Sequence, residues 1–162
     1  MLAADTTLAV FDVLIRVLHV GAAIIAAGGV FFQWWALHPT LAVCSESQRT
    51  EFRNAIVARW WPVVAAVIFV LLLSGLLNFV INKIPEYRDH ASKGVYHGLF
   101  GLKFLAAMLA FHGAAVLALP GSRGERYRAK AAFWLQYLVV LFAIIITIGA
   151  VLRNFELLFP RA

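Results

Sequence analysis

Residues Trp60–Ile81, WWPVVAAVIFVLLLSGLLNFVI, carry no charge, and apart from the indoles their polar side chains are one serine and one asparagine. A helix needs about 20 predominantly apolar residues to cross a hydrocarbon core of roughly 30 Å. A helix on the surface of a soluble protein would show a polar face at helical spacing, and this run has none. Only helices and closed barrels satisfy their backbones in lipid. Barrel strands alternate polar and apolar residues, which these do not. The stretch is therefore expected to be a transmembrane helix.

Working outward, three more runs meet the same criterion. One extends from about Leu8 to Leu37, and between Val17 and Leu37 its only strongly polar groups are His19 and Gln33. Another extends from about Val95 to Leu119 and contains His97, Lys103 and His112. The last, Ala131–Leu152, is uncharged, with Gln136 and Thr147 its main polar side chains. The expected fold class is all-α: one polytopic membrane domain over residues 1–162. Its spans are placed at about 8–37, 60–81, 95–119 and 131–152. Breaks are expected at Pro39 with the polar stretch Cys44–Arg53, at Asn82–Pro85 with the charged run Glu86–Lys93, and at Pro120-Gly121 with loop Ser122–Lys130. Short connections make neighbouring helices antiparallel, so an antiparallel four-transmembrane-helix bundle follows.

The bulk numbers agree. The chain is 63% hydrophobic and 14% charged, against about a quarter charged in soluble domains. A net charge of +6 would suggest nucleic acid in a soluble protein. Here the basic residues sit in short loops, where they set topology and meet anionic head groups. The expected partner is the lipid bilayer, with a homo-oligomer or larger membrane complex around it and no nucleic acid. Cys44 is the single cysteine, so there is no intrachain disulfide and no CxxCH for covalent haem. Asp5 and Asp12 make the N-terminus acidic where a secretion signal would be basic, so no cleavable signal is expected.

Orientation follows from lysine and arginine. Arg49, Arg53, Arg59, Arg123, Arg126, Arg128 and Lys130 lie at one end, seven basic residues against six at the other. The positive-inside rule puts the first and third loops in the cytoplasm and both termini outside. Trp34, Trp35, Trp60, Trp61, Trp134 and Tyr127 flank those loops as an interfacial belt would. The expected location is a bacterial inner membrane, with the termini on its periplasmic side.

Ionisable groups inside a bilayer are functional candidates by default: Arg16, His19, Lys103 and His112, with His97 near the outer end of its span. His38 and His90 are read as solvated. Asp12, Arg16 and His19 share a helical face at i, i+4, i+7. Arg16 there is either a snorkelling partner of Asp12 or an anion holder, for example for a haem propionate. His19 lies among Gly21, Ala22, Ala23, Ala26 and Ala27, which admit a close helix or a flat cofactor. At about 1.5 Å per residue, His19 and Lys103 fall roughly 5 and 6 Å outside the midplane. His97 falls about 10 Å further out than His19, and His112 about 12 Å further in. No acidic residue lies in a membrane core to pair with Lys103. The histidines permit a haem b with His19 as axial ligand and with Lys103 or a third-span histidine, His97 or His112, as the second ligand or a propionate partner. Copper(I) prefers Met and Cys, and this chain offers Met108 within the membrane plus Met1 and Cys44 outside it. Neither HExxH nor a Walker or dinucleotide motif is present.

The first span with its flank, RVLHVGAAIIAAGGVFFQWWALHPTL (Arg16–Leu41), has a basic residue three before a histidine and a glycine ten after it. Paired aromatics and a proline follow. This resembles the opening of copper-resistance D-like membrane proteins and of the related four-helix bacterial protoporphyrinogen oxidases. The basic loop, the Arg-aromatic-Pro entry and the Ser-Gly-Leu close within Glu46–Phe79 are similar to theirs. So is HGLFGLK, His97–Lys103, with its embedded lysine. Where the oxidases carry acidic and Tyr-Leu-Pro-Arg features, this chain has Phe32-Gln33-Trp34-Trp35. The resemblance, from Arg16 to about His112, implies haem b held with a first-span histidine and a third-span lysine, here His19 and Lys103. The expected function is an electron-transfer or oxidase role on a porphyrin-like or other membrane-soluble reductant. Copper or small-solute transport, or service as an accessory subunit, are the alternatives.

Overall fold

The computed structural model describes residues 2–160, with side chains from residue 9 onward. Met1 and the side chain of Asp5, invoked above, lie outside the described residues. Helix is the only regular structure among those described. Helix α1 (Leu2–Phe32) runs through a π-helical turn (Gln33–Leu37) into α2 (His38–Leu41). Helix α3 (Glu46–Leu77) likewise runs through a π turn (Asn78–Lys83) into α4 (Ile84–Glu86). Then come α5 (Lys93–Ala118), α6 (Gly121–Arg128), α7 (Ala131–Arg153) and α8 (Phe155–Leu158). Four segments are long and apolar enough to cross a membrane: Ala9–Leu41, Glu46–Glu86, Lys93–Ala118 and Ala131–Arg153.

Part of each expected break is helical instead, while residues 42–45, 87–92 and 119–120 are not. The polar stretch after Cys44 is the first turns of α3, and the loop before it shrinks to residues 42–45. Ser45 accepts the Gln48 amide hydrogen, and the Gln48 side chain accepts from the Ser45 amide. That capping box satisfies orphan donors at a helix start, and it is present in the sequence as Ser45-Glu46-Ser47-Gln48. Helix runs on only briefly past Pro39 and Pro85, to Leu41 and Glu86. A proline ring clashes with the carbonyl four residues back. Each proline follows a π turn, whose wider coil moves that carbonyl away. The expected loop Ser122–Lys130 is largely α6, entered through Gly121 at φ 79°. The ends of α5 and α7 fall close to the expected boundaries.

Packing runs in a ring, α1 on α3, α3 on α5, α5 on α7 and α7 back on α1. Along α1 and α3, Asp12 meets Asn82, His19 meets Ser74, and Gly29 faces Trp60. Along α5 and α7, Lys103 faces Gly149, and Gly113 faces Leu138. In both pairs, partner numbers fall on one helix as they rise on the other. Three apolar clusters fill the interior. One joins Val30, Ala106, Ala110, Leu138 and Leu141, and a second joins Ala22, Leu71 and Phe111. The third joins Tyr87, Tyr96, Ile148, Leu152 and Phe155. Large apolar side chains also point outward on every long helix: Ile24 is 66% exposed, Phe69 66%, Leu105 57% and Ile146 61%. A soluble monomer rarely exposes apolar surface on this scale.

Candidate functional site

Nearer the starts of α1 and α5 than their ends, polar side chains interrupt the apolar packing, with residues of all four long helices beside them. His19 comes from α1 and Ser74 with Gly75 from α3. Lys103 comes from α5 and Gly149 from α7. His19 Nδ1 and Ser74 Oγ are 2.8 Å apart. A hydroxyl has one proton to donate, and Ser74 Oγ donates its proton to the Val70 carbonyl of its own helix. The roles in the His19–Ser74 pair follow the imidazole tautomer: with the serine proton on Val70, Nδ1 carries the ring hydrogen and the serine accepts. The neutral ring then keeps its lone pair on Nε2. Gly75 faces the ring, and a Cβ there would sit at ordinary contact distance, 3.5 Å from His19 Cε1. Gly149 likewise faces Lys103, whose Nζ would lie 3.4 Å from an added Cβ. Both side chains are half-buried, and Lys103 is within electrostatic reach of His19.

The other sequence candidates lie elsewhere. Arg16 points outward, with its side chain 64% exposed and Nη2 3.9 Å from Asp12 Oδ2. Asp12 Oδ1 accepts from Asn82 Nδ2, and Asn82 also donates to Asn78. The i, i+4, i+7 face thus divides: Asp12 ties α1 to the end of α3, and Arg16 is its exposed partner. His97 is half-buried near the start of α5, its ring edge-on to Phe79 at 5.6 Å. His112 is exposed, with its ring centroid 6.5 Å from that of Trp134. His19 and Lys103 share a layer, and neither His97 nor His112 joins it.

His90 corrects the expectation of a solvated loop histidine. It is 4% exposed, packed on Tyr87 and Phe155, and its Nδ1 accepts from the Ser92 amide. The reason is tertiary. Helix α8 turns Phe155 back under the α4–α5 loop, where Tyr87 stacks on Tyr96 at 4.0 Å and Phe155 meets Tyr96 edge-on. Ser74 is the site residue that sequence reasoning passed over. It was quoted inside the Ser-Gly-Leu motif, but nothing local tells which way a lone serine in an apolar helix points.

Among the described residues no group of three His, Cys, Asp or Glu side chains converges as a metal cage. Met108 is 42% exposed on α5, while Cys44 lies in the loop before α3. Comparison with family models, curated proteins and solved structures finds no match to this chain.

Proposed function

We propose that this chain is an antiparallel four-helix protein of a bacterial inner membrane, with both termini on the periplasmic side, that binds haem b for redox work. The opposed numbering of helix contacts and the outward-facing apolar side chains support the bundle and its lipid setting. The resemblance of Arg16–His112 to copper-resistance D-like proteins and four-helix protoporphyrinogen oxidases supports the cofactor.

One observation carries the haem reading. His19 Nδ1 lies 2.8 Å from Ser74 Oγ, and in the tautomer where the serine accepts, Nε2 is left as an imidazole donor. A histidine that ligates iron or another metal almost always donates its other ring N–H to such an acceptor. An ion held by the protein alone would need three or four converging side chains. A haem needs only axial ligands, because its macrocycle supplies the rest, so the donor set here fits haem. When bound, it supplies a one-electron iron couple. His19 would be an axial ligand. Lys103, in the same layer, would be the second ligand as a neutral amine, or a propionate partner as an ammonium. Arg16, outside the bundle, is placed to meet a propionate only at the lipid-facing side.

Oxidised and dithionite-reduced spectra of the protein purified in mild detergent test this. The expected result is a Soret band with reduced α and β bands of haem b, at about one haem per chain, lost in His19→Ala. A protein still colourless after haem is supplied during expression would refute the reading, as would a full Soret band in His19→Ala.

A further inference from the structure

At the end of the bundle opposite the aromatic His90 cluster lies a cavity of about 110 Å³ that the haem reading does not use. None of Arg16, His19, His97, Lys103 or His112 lines it. Its walls are apolar, among them Val57, Val64, Trp60, Phe111, Leu135 and Leu138. A water needs roughly 10–15 Å³ of such volume, so a chain several methylenes long has room. One end is different: His38, Arg53 and Arg128 line it there. These three also border a wider basin that includes Arg49 and Lys130, so the apolar slot opens into a basic mouth.

The two arginines at that mouth are not equivalent. Arg128 closes the end of α5: its Nη1 donates to the Leu117 and Leu119 carbonyls, and Nη2 to that of Gly121. Burial lowers its pKa from the ordinary value, Glu125 opposes that shift, and the Arg53 charge adds to it. Arg53, half-buried beside it, makes no hydrogen bond or ion pair among the described residues. Two guanidiniums thus lie within reach of each other's charge, and one of them is unpaired. The two charges repel, and an anion between them would relieve that repulsion. Arginine suits that role because its planar fork pairs with both oxygens of a carboxylate or phosphate.

We infer that this cavity binds an acyl lipid with an anionic head group, drawn from the surrounding bilayer. Its head group pairs with Arg53 and Arg128, and its chain lies between Val57, Val64, Leu135 and Leu138. The site sits where an interfacial lipid can enter sideways. Trp34, Trp60, Trp61 and Trp134 mark the same end of the bundle, and such aromatics gather at head-group level. Apolar walls and basic mouth are both required: the walls alone would take any lipid, and the mouth alone any anion.

Native mass spectrometry on the full chain, stripped of lipid in detergent, tests the inference. Dioleoyl phosphatidylglycerol, dioleoyl phosphatidylcholine or inorganic phosphate is added in turn. The expected result is one phosphatidylglycerol retained per chain, with phosphatidylcholine retained about ten-fold less and phosphate alone not competing. Arg53→Gln, which breaks no bond within the described residues, should lower phosphatidylglycerol retention about ten-fold. Arg59→Gln, at the same end but outside the lining, should leave it unchanged. Val64→Trp fills the slot and should abolish retention with the basic mouth intact. Ile56→Trp repeats that test nearer the mouth, should the first variant fail to fold. Equal retention of the two lipids, or wild-type retention in a folded slot-filling variant, would overturn the inference. Phosphate that displaces the lipid would do so too, because it would reveal an anion site with no role for the chain.

Discussion

A serine in an apolar helix has one proton to give and two lone pairs to receive with. Ser74 Oγ lies within hydrogen-bond distance of both the Val70 carbonyl and His19 Nδ1, so with its proton on Val70 one hydroxyl sets which nitrogen of the imidazole is left as a donor. Removing it leaves Nδ1–H without its acceptor and the ring free to turn. Losing such a supporting hydrogen bond typically weakens metal affinity about 10–100-fold. Ser74→Ala should therefore release haem to an excess of a haem-scavenging globin with affinity lowered by about that factor, while Ser74→Thr, which keeps the hydroxyl, should hold it. Wild-type haem retention in Ser74→Ala would show that the serine does not position the ligand.

Two long helices meet a proline within two residues of their ends, and the turn before it is the same in each. The coil loosens to a π turn before Pro39 and again before Pro85, so neither ring meets a carbonyl. At this scale glycines divide by neighbour. An added Cβ at Gly29 would lie 2.6 Å from Trp60 Cζ2, while at Gly21 and Gly28 nothing lies within 4 Å. The small-residue stripe of α1 is thus a packing seam against α3 only in part. Gly29→Ala should lower stability by about 1–3 kcal/mol, the range for overpacking, seen as an earlier thermal transition in detergent. Gly21→Ala should leave the transition in place, and equal effects from both would mean that the Trp60 contact does not hold α1 on α3.

Across the whole molecule the two ends of the bundle differ in kind. One is closed by stacked aromatics and the buried His90. The other is basic, open and lined by arginines. The proposed orientation turns the basic end to the cytoplasm, and Cys44, the single cysteine, lies at that end in the loop before α3. A membrane-impermeant maleimide should label Cys44 in inverted inner-membrane vesicles and leave it unlabelled in intact spheroplasts. Labelling in spheroplasts would reverse the topology. It would also place the lipid site in the outer leaflet.

The four apolar helices were legible in the chain alone, because an uncharged run long enough to span lipid leaves the backbone no other way to satisfy itself. The level of His19 with Lys103 was legible too, since depth along a helix is a matter of counting residues at a constant rise. Direction around the axis was not. Arg16 and His19 are close in sequence and in helical phase, yet one points out and the other in, according to where α3 packs. Ser74 becomes a partner of His19, and His90 becomes buried, only when a second helix or α8 arrives. The capping box at Ser45 was present in the sequence, but its polar residues suggested a loop. Arg53 and Arg128, read in the chain as topology signals, converge on one cavity mouth because the start of α3 and the end of α6, distant in sequence, meet at the same end of the bundle. Counting and hydropathy act along the chain, whereas every pairing that makes a site depends on which faces the helices turn to one another.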